Sequence, residues 1–576
     1  MDLQCTLIGA ILPWILLFHG FVHSEKAPYN TFVKEATSAP AVLYYDYITI
    51  GGGTCGCPLA ASLSQGARVL VLERGGSPYD NPNISDIANF ASTLSDTSPT
   101  SPAQQFISED GVFNTRARVL GGGSALNAGF YTRASTAYVK KAGWNETLVK
   151  QSYEWVEKLV AFKPPLLGWQ SAVRNGLLEV GVLPNNGFTY DHVDGTKVGG
   201  TIFDGEGHRH TAADLLQYAN PTRITVYLHA TVHKILFTFN SNGTGRARAN
   251  GVIFKDAMGV EHRAYLTKNS KNEIIVSAGA IGSPQLLMLS GIGPAEHLKA
   301  HGIKMVLDQP IVGLGMADNP MNALFVPSPS PVEMSLIQVV GITKFGSYVE
   351  AASGLDFANF WGQMLLRDTG LFVNQSDQPY FTVLPVEATN EAAQAIDSVA
   401  DIILRGGVIL EKVTGPLSTG HLELRSTDPN DNPAVTFKYF NEPEDLNKCV
   451  QGMNTIINVI NSEGFSEFRY RSVPVQVLIN WMLNLPLNLR RRHASAAISL
   501  EQFCIDTVMT IWHYHGGCQV GTVVDRDYKV LGVDALRVID GSTFLGSPGT
   551  NPQATVMMLG RYMGQKIMHE RYSDGS

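Results

Sequence analysis

The chain has 576 residues, 44% of them hydrophobic and 16% charged, with 56 glycines, a profile that excludes a disordered or fibrous protein. That length exceeds one typical domain, so two domains or one interleaved pair with a sizeable core are expected. The formal net charge of −8 gives no electrostatic reason to bind nucleic acid or an anionic membrane surface.

The first 24 residues read as a secretory signal: an apolar stretch over 7–22, then Val22-His23-Ser24 where a peptidase can cut. The n-region departs from the usual pattern in carrying Asp2 and no Lys or Arg. The stretch is shorter than the roughly 18–20 apolar residues that span a bilayer, and Pro13 and His19 interrupt it. A secreted protein, extracellular or in a cell wall and with no stable membrane span after cleavage, is therefore expected. In that compartment Asn83, Asn145, Asn242 and Asn374 are N-glycosylation sequons.

Residues 44–50 read as a buried strand, 51–56 as a turn, 58–64 as a helix and 68–72 as a second strand, together a βαβ unit. Its turn carries Gly51-Gly52-Gly53-Thr54-Cys55-Gly56, and Glu73 follows the second strand. Gly51 permits the tight turn, Gly53 lets backbone approach a pyrophosphate, and Gly56 permits close helix packing. Glu73 can accept hydrogen bonds from ribose hydroxyls, and the unit predicts dinucleotide binding.

Removal of Cys5 with the signal leaves Cys55, Cys57, Cys449, Cys504 and Cys518, without C-x-x-C metal spacing, and no metal site is expected. Cys55 and Cys57 lie in the glycine-rich turn expected to pack against a cofactor. One disulfide is therefore expected, between Cys449 and Cys504.

Further along, Thr211 with Asp214 marks a helix start, strands are expected over 224–229, 232–237 and 273–277, and a helix over 283–289. Residues 316–486 read as a mixed domain around an antiparallel sheet. The compact basic run Arg490-Arg491-Arg492 reads as a solvated turn. Near the C-terminus, Trp512-His513-Tyr514-His515-Gly516-Gly517 and Asn551-Pro552-Gln553 supply a base and an amide for work on a substrate hydroxyl. An extended backbone would place His513 and His515 on one face, so spacing alone leaves both open as the base.

Four ordered motifs carry a family resemblance. Beyond the N-terminal unit they are Arg118-Val119-Leu120-Gly121-Gly122-Gly123-Ser124-Ala125-Leu126-Asn127; Gly282-Ser283-Pro284-Gln285 through Gly293; Trp512-His513 with Gly516-Gly517-Cys518; and Asp540-Gly541-Ser542 leading to Asn551-Pro552-Gln553. Over nearly the whole mature chain the sequence resembles the glucose-methanol-choline (GMC) FAD oxidoreductases. The resemblance implies an α/β fold in which a Rossmann-like FAD-binding domain (42–160, 220–316 and 532–570) is interleaved with a substrate domain built on an antiparallel sheet (161–219 and 317–531). It implies cofactor contacts from Val119, Gly122, Ser124, Trp512 and Gln553, with Asn127 and Asn551 near the flavin ring. By the same implication Val232 meets the adenine through its backbone, and Asp540 and Gly541 lie against the diphosphate and ribityl chain. Aligned on the glycines that follow, His513 matches the family's catalytic histidine and Asn551 its partner.

Within the family the sequence resembles a plant branch of HOTHEAD-like proteins and flavin-containing mandelonitrile lyases, the former through Gly341-Ile342-Thr343-Lys344 and the run from Ser547 to Thr555. The lyases carry His where Asn551 stands and Tyr where Ile511 stands. The resemblance thus implies oxidation of an alcohol CH–OH group, with His513 as base and hydride transfer to flavin N5. Long-chain ω-hydroxy fatty acids of cutin are the implied substrates. Cyanohydrin cleavage on the same fold is the competing expectation. A non-enzymatic secreted flavoprotein is a third, opposed by the intact Glu73, His513 and glycines. No motif separates molecular oxygen from another electron acceptor.

Overall fold

The computed structural model describes residues 31–79, 81–96, 98–239, 246–354 and 405–573. The signal segment, Cys5, Asn242 and Asn374 lie outside the described residues. Six strands form one wholly parallel sheet in the order Val33–Glu35, Ile224–Leu228, Val69–Leu72, Tyr47–Ile50, Glu273–Val276, Leu536–Val538. Its central strands are short apolar runs buried at every position, as a sheet covered on both faces requires. The helix Gly56–Leu63 covers one face, and the C-terminal helix Gln553–Tyr572 packs on that helix.

The expected single strand over 44–50 is two strands in two sheets. Val42–Tyr45 pairs with Glu261–Leu266 in a five-stranded sheet, with alternate residues exposed, whereas Tyr47–Ile50 enters the parallel sheet. The chain crosses between them at Asp46, whose carboxylate accepts the Arg68 N–H at 3.0 Å and the Thr267 hydroxyl at 2.6 Å. An uninterrupted apolar run carries no mark of where it changes sheet. Two helices also begin earlier than their apolar periodicity indicates, at Gly56 rather than 58 and, in Gly279–Leu289, at Gly279 rather than 283. Thr211 and Asp214 do form a capping box, opening a 3₁₀ helix over Ala212–Tyr218.

The larger second sheet has seven strands in the order Met509–Thr510, Pro320–Pro327, Gly406–Val413, Ser347–Ser353, Val339–Ile342, Gly195–Val198, Asn185–Phe188, antiparallel except for the last pair. One face lies against the helix Pro443–Asn461, where a Cβ on Gly452 would meet the Glu411 side chain at 2.1 Å. The other face bears Tyr348, which reaches His513.

Cys449 and Cys504 form a disulfide, as expected, tying Pro443–Asn461 to the helix Leu500–Thr507. The arginine run is not a solvated turn. Arg490 donates to the carbonyls of Asp110 and Ile505, and Arg492 to those of Leu483, Leu485, Arg490 and Asp506, so of the three only Arg491 is exposed. Free loop carbonyls around the run take up the guanidinium donors. Asn83 and Asn145 are exposed, and Asn145 also caps the helix Glu146–Val160. No helix among the described residues is long and apolar enough to cross a membrane.

Candidate active site

One long cavity runs from the turn after Tyr47–Ile50, past Glu73 and Val232 at one end, to His513 and Asn551 at the other. Gly51 turns the chain with φ +99°, and a Cβ on Gly56 would lie 2.0 Å from the Gly51 carbonyl oxygen, so helix and turn touch backbone to backbone. Across the cavity floor a Cβ on Gly122 would meet the Gly53 Cα at 2.8 Å. Glu73 accepts the Gly52 and Gly75 N–H groups at 2.9 and 2.8 Å, one on each carboxylate oxygen, leaving acceptor capacity on both. Its burial raises the carboxyl above the usual carboxylate range against those two bonds and the neighbouring Arg74. These side-chain-free walls, the N-terminus of the helix behind them and an acid at the ribose end fit FAD.

Asp540 uses its carboxylate internally, accepting from Ser542 N–H at 2.8 Å, Gly279 N–H at 2.9 Å and the Ser283 hydroxyl at 2.5 Å. It therefore braces the C-terminal segment onto the N-terminus of Gly279–Leu289, while Gly541 beside it lines the cavity. Asn127 donates to Gln553 Oε1 at 2.9 Å, and Gln553 donates to the Phe130 carbonyl at 2.7 Å, which locks the first turn of the C-terminal helix to the opposite wall. The strand Thr231–Thr238 is bulged between Val232 and Lys234, which breaks the ladder beside the cavity-lining Val232.

At the far end Trp512 has φ +60°, in the left-handed region that a bulky residue seldom adopts, with its N–H held by the Thr510 hydroxyl at 2.8 Å. This turn breaks the extended run. His513 lines the cavity, whereas His515 is buried outside its lining with Nδ1 3.0 Å from the His513 carbonyl oxygen. The His513 N–H donates to Asp318 Oδ1 at 2.8 Å, and its Nδ1 lies 3.3 Å from the Tyr348 hydroxyl. Burial, then the Lys412 ammonium and His515, hold the His513 imidazole well below its ordinary pKa, so it is neutral near pH 7. Lys412 is itself buried and ion-paired with Glu350. Asn551 is buried with its Oδ1 unpartnered among the described residues.

Gly51, Gly53, Glu73, Val119, Gly122, Ser124, Asn127, Val232, Trp512, His513, Asp540, Gly541, Asn551 and Gln553 all line this one cavity. Gly56 does not, since its part is to let the helix close on the turn. Nor do both turn cysteines face the cavity: Cys55 lines it, but Cys57 points away and donates to the Gly52 carbonyl at 3.1 Å. Sequence reasoning missed Arg74 and Arg116 in the wall and Asp318, Tyr348 and Lys412 behind His513. Arg74 was within reach of it, standing next to Glu73; the other four belong to strands or loops whose pairing no local pattern reveals.

A parallel sheet with a side-chain-free first turn, closed by the chain's own C-terminal segment and sharing one cavity with a neutral imidazole, is the arrangement of a flavin-dependent oxidoreductase. The chain belongs to the GMC oxidoreductase family, whose N- and C-terminal models match residues 45–321 and 416–560. It is 53% identical to Protein HOTHEAD of Arabidopsis thaliana over 92% of this chain and 88% of that protein. It is 40% identical to (R)-mandelonitrile lyase 1 of Prunus serotina (97% and 94% covered) and 41% identical to sinalpyl alcohol oxidase Nec3 of Nesocodon mauritianus (95% and 93% covered). Among solved structures, formate oxidase shares the fold with a TM-score of 0.71 at 19% identity, covering 93% of this chain and 100% of that one.

Proposed function

We propose that the protein oxidises the CH–OH group of an alcohol, with His513 as base and Asn551 orienting the substrate oxygen. The carrying observation is the pair itself: a buried imidazole held neutral, and a buried carboxamide that no described residue hydrogen-bonds, so that its N–H can hold the substrate oxygen, lining one cavity. Bound FAD supplies the hydride acceptor. His513 takes the hydroxyl proton as the C–H bond gives up its hydride, a role open to an imidazole that is unprotonated at rest. Asn551 holds the oxygen but neither gives nor takes a proton near neutral pH.

Cyanohydrin cleavage is the second reading, and overall identity does not separate it, since a lyase and an alcohol oxidase are equally similar to this chain. The departing cyanide needs positive charge or a proton donor nearby. Here Asn551 is a neutral amide, and His513 resists protonation because it is buried and near Lys412. The amide at Asn551 favours oxidation, whereas a neutral His513 can serve as base in either reaction. Leu94, Phe130, Ile337 and Ile511 give the lining an apolar character suited to a long-chain substrate. Together with the likeness to HOTHEAD, this supports ω-hydroxy fatty acids as substrates of a secreted, N-glycosylated enzyme, with Asn83 and Asn145 as exposed acceptor sites.

Anaerobic mixing of the purified flavoprotein with ω-hydroxy fatty acids, aromatic alcohols or mandelonitrile tests the reading. Bleaching of the flavin by an alcohol is expected. Release of benzaldehyde and cyanide without bleaching would establish the lyase instead. Asn551→His is expected to raise lyase turnover from undetectable, measured as benzaldehyde release.

A further inference from the structure

Tyr348 lies on the strand Ser347–Ser353, fully buried, with its hydroxyl enclosed by three groups from three separate parts of the chain. The Thr550 carbonyl oxygen is 3.1 Å away, Asn319 Nδ2 3.3 Å and His513 Nδ1 3.3 Å. A phenol has one hydrogen to give and two lone pairs to receive with. The Thr550 carbonyl can only accept, so it takes the hydrogen, and the Asn319 amide N–H occupies one lone pair. The remaining lone pair faces His513 Nδ1 and is satisfied when that nitrogen carries a hydrogen.

Building on the alcohol-oxidation reading of the site, we infer that Tyr348 is a positioning residue that holds His513 as its Nδ1–H tautomer, leaving the Nε2 lone pair to accept the substrate's hydroxyl proton. The opposite tautomer would draw the Tyr348 hydrogen away from the Thr550 carbonyl and place an N–H where the base must act. No described residue hydrogen-bonds His513 Nε2. The rest of the histidine is already fixed: its N–H is bonded to Asp318 and its carbonyl oxygen to His515, so rotation of the ring is the freedom that Tyr348 removes. Tyr348 is itself clamped, with the buried Lys412 ammonium 5.4 Å from its ring centroid. It is not a proton wire, because its hydrogen ends on a peptide carbonyl that cannot pass a proton on.

The test uses the flavin-loaded protein labelled with ¹⁵N-histidine, with the His513 signals identified as those lost in His513→Ala. At neutral pH the wild type is expected to show a protonated Nδ1 and an unprotonated Nε2 at His513. Tyr348→Phe is expected to move that pattern toward the Nε2–H form. It should also slow flavin reduction by alcohol on the order of tenfold or more while changing the substrate dissociation constant far less. A wild-type His513 with hydrogen on Nε2, or a Tyr348→Phe spectrum identical to wild type, overturns the inference. The spectra need no substrate, so the tautomer is decided even if no alcohol reduces the flavin, an outcome that would instead sink the proposed function.

Discussion

Asp318 holds the peptide of His513 with a carboxylate that has no donor of its own: it accepts from His513 N–H at 2.8 Å and from the hydroxyls of Tyr439 and Thr510, each at 2.6 Å. Burial outweighs these bonds and raises its pKa to about 6. As pH falls through about 6 the carboxyl gains a proton, and to place it one of the hydroxyl neighbours, Tyr439 or Thr510, must turn from donor to acceptor, which rearranges the bonds beside the base. Flavin reduction by alcohol is therefore expected to show an acid limb near pH 6, since His513 itself protonates only well below its ordinary pKa. Asp318→Asn should abolish that limb and lower the plateau, read by stopped-flow reduction across pH. Because its folded pKa lies above the ordinary value of 3.8, this group's contribution to stability is present below the unfolded value and lost as pH rises through about 6. Urea unfolding should reveal a gain of up to about 3 kcal/mol from this group between pH 7 and 4, absent from Asp318→Asn. At His513, replacement by Ala is expected to slow flavin reduction by roughly 10²–10⁴-fold while the flavin spectrum persists.

Among the elements, the helix Pro443–Asn461 backs the antiparallel sheet that positions Tyr348, and its disulfide to Leu500–Thr507 closes a loop of 55 residues. Replacing both Cys449 and Cys504 with Ser is expected to cost about 4 kcal/mol in urea unfolding, by restoring freedom to the unfolded chain. The loop before Leu500–Thr507 depends on Arg492, whose guanidinium satisfies four backbone carbonyls. Arg492→Ala should cost about 2–4 kcal/mol in the same assay, whereas exposed Arg491→Ala should stay within about 0.5 kcal/mol. Charge composition could not distinguish these neighbours, because the difference lies in which guanidinium meets unpaired carbonyls. The split at Asp46 has a similar origin: strand propensity was legible over 44–50, but the choice of sheet depends on Glu261–Leu266, more than two hundred residues away.

For the molecule as a whole, the last strand, Leu536–Val538, lies beside Glu273–Val276 in the parallel sheet. The C-terminal helix then crosses Gly56–Leu63 so closely that a Cβ on Gly560 would sit 2.3 Å from the Cys55 carbonyl oxygen. The two ends of the chain thus form one cradle, and FAD bound there should stabilise the entire fold. Stripping the flavin is expected to lower the calorimetric unfolding temperature, with a loss of about 4 kcal/mol relative to protein holding FAD at roughly a thousand times its Kd. The cofactor end of the site was legible in sequence because the glycines and Glu73 sit within one continuous βαβ unit, where spacing alone dictates geometry. The base and the amide were visible as residue types, and resemblance selected His513. The backbone turn at Trp512 that separates His513 from His515 was not visible, since an aromatic residue carries no sequence mark of positive φ. Only the tertiary structure brings Tyr348 and Asp318 to His513, from 165 and 195 residues away, because contacts across a sheet are decided by which strands pair and in what register.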